Sequence, residues 1–425
     1  MVGLLLPLSA LALSGWLAVA WLSWLTDRAL PGLSDQPPHP APPSLSVVVP
    51  CRDEARDVEA AVRSLLAQDL TDLEVVAVDD RSTDATGAIL DRLAASDRRL
   101  TVVHVDALPA GWLGKNHALE AGGRRARGQW LLFTDGDVIF RPEALRRALG
   151  YATRTGLGHV AAAPRFVAPG FLERSFVTGF GAFGSLAFRI HRLRVAGTGA
   201  FIGVGAFNLV RRSDWERIGG HRRLRMEVVD DLKLGLLLRR SGVAQGALSG
   251  GDLVMVRWQH GFLPSVLGLV KNAFAGTEYR PWVALLAALA LTLAGLGPPL
   301  LLLGALWQGA WLAAALAGLA LLTGVITHGV AARRLGAGSG AEGLALPLSS
   351  TLLAGVLLGS AAVALARGGV TWRGTSYPLS ELRRGCVRSS DWPSAGAVGW
   401  ADAPTACPPE RTSTPAGPDH RSPSV

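Results

Sequence analysis

Cysteine and lysine are almost missing from this chain of 425 residues. The three cysteines, Cys51, Cys386 and Cys407, lie far apart. They offer neither a disulfide framework nor a metal-binding spacing, which fits a reducing compartment. The three lysines, Lys115, Lys233 and Lys271, leave arginine to supply nearly all the positive charge behind the net +9. No basic stripe carries interleaved aromatics, which argues against a nucleic-acid surface. Charge of either sign is absent over long distances. None of Asp, Glu, Lys or Arg occurs in residues 1–26, 281–332 or 343–366. About 20 apolar residues span a bilayer as a helix. The run 1–26 has no basic start and no small-residue cleavage pattern, so it reads as an uncleaved anchor, not a signal peptide. The run 281–332 holds two spans with a break near 306–310, and 343–366 holds another, giving a membrane region of about three spans over 281–366.

Between the anchor and that region the sequence changes character. Residues 27–44 form a Pro-rich linker. Residues 45–258 then alternate apolar runs with amphipathic ones: strands over 45–50, 73–80, 100–105 and 129–135, and helices over 54–68, 83–95 and 114–127. Strands alternating with helices of this length predict an α/β domain with a mostly parallel sheet. Residues 259–280 are apolar around a single lysine, Lys271, and read as an interfacial helix, with a core helix as the rival reading. The tail 367–425 becomes rich in Pro, Ser and Thr from about 386, where disorder is expected.

Ligands on such sheets gather at the carboxyl ends of the strands. Acidic residues stand at three of those ends: Asp53 and Glu54 after the first strand, Asp79 and Asp80 after the second, Asp135 and Asp137 after the fourth. Helix capping accounts for Asp84 but not for carboxylates converging from three strands. Crowded like charges need a cation or a donor. Carboxylates with open positions suit a hard divalent cation, Mg²⁺ or Mn²⁺, bridging to substrate phosphates. The pair Asp135 and Asp137 therefore reads as a metal–diphosphate clamp. Two other phosphate sites are excluded. A P-loop needs glycine where Pro109 stands and Ser or Thr where Asn116 stands, and no Gly-x-Gly-x-x-Gly follows the first strand.

The stretches "SVVVPCRDEA", "VVAVDDRSTDAT", "LFTDGD" and "EVVDDLKLG" occur in the order found in family 2 glycosyltransferases of the GT-A fold, and the chain resembles that family over residues 45–280. "LPAGWLGKNHALEAG" resembles the membrane-anchored subgroup of carotenoid- and hopanoid-associated enzymes. The resemblance implies a GT-A (Rossmann-like) catalytic domain and a nucleotide-sugar donor, expected to be a UDP-sugar. It implies that Pro50, Arg52, Glu54 and Asp80 line the nucleotide, with Asp79 supporting. Lys115 would approach the nucleotide or its diphosphate, Asp135 would face the ribose or sugar, and Asp137 would hold the metal. Inverting sugar transfer needs one base to take the acceptor hydroxyl's proton. The family's acidic pair maps to Asp230 and Asp231, with Asp231 the base. Val254 stands where processive synthases carry Gln of Gln-x-x-Arg-Trp, so a non-processive enzyme is expected; Arg257 remains a possible phosphate contact.

A catalytic domain fixed to a bilayer implies a lipid acceptor, and the resemblance points to a polyisoprenoid, carotenoid or hopanoid-like one. Polyprenyl phosphate would use the same donor site, and an inactive membrane scaffold would keep the fold without the acids. Nucleotide sugars are cytoplasmic, so a multi-pass cell-membrane protein with a cytoplasmic domain is expected. Counting three later spans places the tail outside. Arg367, Arg373, Arg383, Arg384 and Arg388 argue for the inside by the positive-inside rule. One apolar run would then be re-entrant or interfacial, or the two halves of 281–332 would not both cross.

Overall fold

A computed structural model describes residues 2–195, 197–372 and 374–389. Ser390 onward, including Cys407, and the greater part of the tail expected to be disordered lie outside the described residues. The chain begins with a long apolar helix, α1 (Val2–Ala29). Next come β1 (Leu45–Cys51), α2 (Val58–Leu66), β2 (Leu73–Asp80), α3 (Thr86–Ser96), β3 (Leu100–Val105), α4 (Gly114–Arg125) and β4 (Trp130–Phe133). The second half of the domain runs β5 (Val138–Phe140), α5 (Ala144–Arg154), β6 (His159–Phe166), α6 (Phe171–Ala187), β7 (Asn208–Arg211), α7 (Arg212–Arg217), α8 (Asp230–Arg240) and β8 (Gln245–Val256). The helices α9 (Phe262–Val270), α10 (Ala273–Gly276), α11 (Pro281–Trp307), α12 (Trp311–Arg334) and α13 (Leu346–Ala366) follow. A hairpin, β9 (Gly369–Trp372) and β10 (Thr375–Pro378), and a short helix, α14 (Leu379–Gly385), complete the described chain.

Eight strands form one sheet in the order β3-β2-β1-β4-β7-β6-β8-β5. The first four are mutually parallel. β7 is antiparallel to both β4 and β6, and β6 and β8 are parallel. The central strands are buried on both faces, which is why β1 and β2 read as continuous apolar runs rather than alternating ones. α2 shows the helical counterpart. Val58, Ala61, Val62 and Leu65 recur at helical spacing and are its buried residues. The parallel order sends the ends of β1, β2 and β4 to one edge, where the acidic residues sit.

The Pro-rich segment is docked rather than free. Leu33 is fully buried; its N–H bonds the Ser249 carbonyl at 2.8 Å, and Ser249 N–H returns to Pro31 at 3.0 Å. Arg146 and Arg147 of α5 hold the carbonyls of His39, Ser34 and Gln36.

Four helices are long and apolar enough to cross a membrane. Three of them, α1, α11 and α12, pack side by side. At one end Leu5 of α1 packs with Ala305 of α11 and Ala313 of α12; at the other, Asp27 pairs with Arg334. α13 differs. Its first residue, Leu346, packs against Trp16 and Ala320 partway along α1 and α12. Ser350, one turn on, abuts Gly295, 14 residues past the start of α11 (295 − 281) or about 21 Å of helix. α13 then runs back toward the domain. Ser360 accepts the N–H of Phe274 at 3.0 Å, and Leu357, Ala361 and Ala364 cluster with Ala284, Phe274 and Tyr377. The stretch 259–280 is two short helices, α9 and α10. α9 buries Ser265 and Leu269 and exposes Leu263 and Leu267.

Candidate active site

At the sheet edge, α4 and α8 begin beside the end of β4. Lys115, in the first turn of α4, places Nζ 2.8 Å from Asp135 Oδ1 and 3.6 Å from Asp230 Oδ1. Asp231 is held by backbone: Gly205 N–H donates to Oδ2 at 2.7 Å and Leu232 N–H to Oδ1 at 2.8 Å. Gly205 lies between two acids. A Cβ there would stand 2.7 Å from Asp135 Oδ2 and 3.4 Å from Asp231 Oδ2, so a side chain at this position would have to displace the Asp135 carboxylate. Gly203 likewise sits against the Asp231 carbonyl. Lys115, Asp135, Gly205, Asp230 and Asp231 line a small cleft, with Leu119, Phe133, Thr134, Asn208, His221 and Leu234 completing its walls.

Three carboxylates thus share one ammonium. Burial pushes the Asp230 carboxyl up to about 7; Lys115 opposes the shift, and Asp231 and Asp135 add to it. Asp231 is raised by burial too, against Lys115 and the N–H of Leu232. Burial works to lower the Lys115 pKa, but Asp135, Asp230 and Asp231 carry it above its ordinary value, so it stays charged. His221 escaped the sequence reading. Its Nδ1 accepts from Trp215 Nε1 at 3.1 Å, and its ring stands edge-on to Phe133 at 4.6 Å. Burial, then Lys115, pushes it down to about 3, so the cleft's histidine is neutral. A single histidine after a Gly-Gly pair carries no spacing signal that would have marked it.

The loops after β1 and β2 are zipped together. Asp84 accepts Thr86 N–H at 2.9 Å just ahead of α3 and Ala55 N–H at 3.1 Å, and Asp53 accepts Thr83 N–H at 2.7 Å. Asp53 and Arg81 both take positive φ, 52° and 59°, a strained choice for residues with side chains and typical of functional loops. Asp80 is buried under two bonds from Arg81, at 2.9 and 3.2 Å, while Arg52 bonds the Asp80 carbonyl at 3.2 Å. Asp79 faces the opposite side of the strand. It accepts Ser82 N–H at 3.1 Å and meets His104 Nδ1 at 3.1 Å, so it is not brought to the face that carries Asp80. Pro50 lies in β1, in register with Val78.

Glu54, Asp135 and Asp137 crowd one another. Burial, then Asp135 and Glu54, pushes the Asp137 carboxyl up to about 7. Asp137 makes no ion pair among the described residues. No three His, Cys, Asp or Glu side chains form a ready metal cradle among those residues. Asp137 precedes β5, and Val138 pairs antiparallel with Val256, so the register sets the backbone of Arg257 opposite Asp137. The Arg257 side chain is exposed, and the next residue, Trp258, stacks on Phe180 at 5.1 Å.

Residues 46–219 match the profile of Glycosyl transferase family 2. A 4,4'-diaponeurosporenoate glycosyltransferase from Staphylococcus haemolyticus is 23% identical over 260 residues, 58% of this chain and 65% of that one. The beta-monoglucosyldiacylglycerol synthase of a Synechocystis species is 32% identical over 245 residues, 52% of this chain and 49% of its own. The chain spans less than two thirds of the length of these relatives. Among solved structures, a mannosyltransferase from Pyrobaculum calidifontis in complex with GDP-Man and Mn²⁺ is 22% identical with a TM-score of 0.49, covering 85% of this chain and 98% of that one. The matched segment, residues 46–219, takes in the parallel strands of the sheet and the acids at the ends of β1, β2 and β4, so this part of the chain is similar to Glycosyl transferase family 2.

Proposed function

We propose that the protein moves a sugar from a nucleotide-sugar donor to a membrane lipid, with inversion at the anomeric carbon. One observation carries the reading. Asp231 faces the Lys115–Asp135–Asp230 cleft with each carboxylate oxygen fixed by a backbone N–H. A carboxylate has about four lone-pair sites, so two remain open to an acceptor hydroxyl. The two N–H bonds favour its charged form, while Asp230, without such support from two residues, holds its proton near neutrality. Asp231 then takes the acceptor's proton as that oxygen bonds the anomeric carbon and the bond to the diphosphate breaks. Lys115 balances the acids around the donor and keeps Asp135 in place. Arg52, Glu54 and Asp80 form the nucleotide side.

Asp137 and Asp135 fit a divalent cation, Mg²⁺ or Mn²⁺. Crowding with Glu54 and the absence of an ion pair to Asp137 among the described residues leave carboxylate charge that such an ion would offset. When bound, the ion supplies charge stabilisation for the leaving diphosphate.

The lipid acceptor is supported by four long apolar helices and by the exposed apolar face of α9. Two relatives are named for diaponeurosporenoate and monoglucosyldiacylglycerol, both of them lipids. We read the domain as cytoplasmic, with α1, α11 and α12 crossing and α13 re-entering from the domain side and returning to it. Arg367, Arg383, Arg384 and Arg388 then lie inside, in line with the positive-inside rule. Incubating membranes with labelled nucleotide sugars and analysing the lipid fraction by mass spectrometry tests the function. A glycolipid that appears only with intact Asp231 supports it; label found only in water-soluble products overturns it.

A further inference from the structure

A cavity of about 480 Å³ lies where the ends of α1 and α12 meet α6 and the sheet. Its size is within the range of small-molecule sites. It shares no residue with the cleft of Lys115 and Asp231. Short side chains make the room: Ala331 of α12, Ala182 of α6, Ala163 of β6 and Gly32 of the linker. Gly32 bridges to Ser249 of β8, so one wall of the cavity is the catalytic domain itself.

Charge in the lining is confined to Asp27, Arg28 and Arg334. Asp27 pairs with Arg334. Arg28 has no ion pair among the described residues and lies over the Trp24 ring at 4.0 Å. Stacking uses the face of the guanidinium and leaves its in-plane N–H groups to donate. One positive charge is therefore left over. It matches the single negative charge of a phosphodiester, whose oxygens suit the paired donors of arginine.

The surroundings put that anion on a lipid. Leu17, Trp21, Trp24 and Arg28 recur at helical spacing along α1, and all are exposed. Leu319, Leu322, Ile326, Val330 and Arg334 do the same along α12. Each face is apolar until its last residue, an arginine that lines the cavity. Trp21 and Trp24 stack with centroids 4.8 Å apart, and exposed tryptophan marks the headgroup level of a bilayer. Acyl chains lying along these faces bring a headgroup to Arg28 and Arg334.

We propose that the cavity binds the headgroup of an anionic phospholipid from the cytoplasmic leaflet, held by Arg28 and backed by Gly32 and Ser249. The inference rests on the reading of α1 and α12 as crossing the membrane. Basic pockets between spans on the cytoplasmic side suit such headgroups, and one arginine near the surface corresponds to about a fivefold change in affinity. A lipid seated there touches two spans and the domain at once, and so ties the domain to the bilayer.

The test follows the melting temperature of the full chain in detergent as dioctanoyl phosphatidylglycerol, dioctanoyl phosphatidylcholine or glycerol 3-phosphate is added. Phosphatidylglycerol should raise it along a saturating curve, with little effect from the other two. Arg28→Gln should move the half-saturating concentration about fivefold upward. Ala182→Leu, which fills the cavity and leaves its charge alone, should remove the response. Equal stabilisation by phosphatidylcholine, an unshifted curve in Arg28→Gln or a full response in Ala182→Leu each overturns the proposal. A response to glycerol 3-phosphate as strong as that to phosphatidylglycerol also overturns it, since that marks a site for free phosphate. A variant that does not fold, shown by its melting curve without lipid, leaves the decision to the other variant and to the wild-type comparison of headgroups. Washing membranes with alkaline carbonate separates the two readings. A chain that washes off sinks the membrane reading, whereas a chain that stays but ignores phosphatidylglycerol sinks only this inference.

Discussion

Replacing Asp231 by Asn is the sharpest probe of the cleft, because the structure says what the amide can and cannot do. Both Asp231 oxygens accept backbone N–H groups, from Gly205 at 2.7 Å and Leu232 at 2.8 Å. An Asn side chain has one oxygen, so its NH₂ must face one of those donors. One hydrogen bond to a charged group, ~1.5–3 kcal/mol, is lost and two donors are opposed. Stability should fall by ~2 kcal/mol, a shift of a few degrees in a protein of this size. Donor binding should survive, since Lys115 keeps Asp135 at 2.8 Å and Asp230 at 3.6 Å and so keeps its charge. Transfer should not survive: a positioned general base contributes about 10²–10⁴-fold. The assay pairs single-turnover transfer of labelled sugar to lipid with calorimetry of nucleoside diphosphate binding. Turnover within tenfold of wild type refutes the assignment of the base and moves it to Asp230 or elsewhere. Loss of donor affinity matching the loss of turnover assigns Asp231 to donor binding instead.

Asp137→Ala should abolish the Mn²⁺ dependence of nucleoside diphosphate binding, and a variant whose calorimetric affinity still rises with Mn²⁺ as in wild type would remove Asp137 from the metal site. Asp230 has a folded pKa of about 7, raised by burial above an unfolded value of about 3.9. The proton is bound more tightly in the folded state, so its contribution to stability is full below pH ~4 and is lost as pH rises through 7. Asp230→Asn should therefore flatten the fall in melting temperature between those limits, and a parallel profile would contradict the shift. Truncation after Ser389 should leave the melting temperature intact, whereas removing 386–425 should lower it, because Lys233, Glu227 and Glu278 all lose partners in 387–389. In a chain freed of its own cysteines, Ser380→Cys and Leu30→Cys should resist an impermeant thiol reagent on intact cells while Gly309→Cys reacts. Labelling at 380 would mean that α13 crosses.

The sheet was legible because its strands are buried on both faces and its helices carry apolar stripes, so periodicity and length separate them. The acids at the strand ends were legible for the same reason: carboxylates interrupt apolar runs where the pleat delivers side chains to the edge. Direction was not. Asp79 and Asp80 are neighbours in sequence, and only the pleat decides that Asp80 meets Arg81 while Asp79 meets His104. The Pro-rich stretch read as a spacer, because composition reports the lack of regular structure and not the burial of Leu33. The sequence also carries no sign that α13 starts halfway along its neighbours. An uncharged run of that length satisfies a hydropathy argument whether it crosses or turns back. Disorder expected from about 386 begins too early, since residues 386–389 are tied to α8 and to Glu278. His221 carries no motif, and only folding brings it to the cleft.

The contact between the hairpin and the domain also orders events during synthesis. The ribosome finishes residue 258 with the sheet complete, but another 131 residues (389 − 258) must follow before Tyr377 and the segment behind it can dock. At about 5–20 residues per second that is a wait of roughly 7–26 s, during which two apolar helices must be inserted and a third seated. Until then Leu113, Met226 and Val228 lack the apolar cover that Tyr377, Leu379 and Leu382 give them.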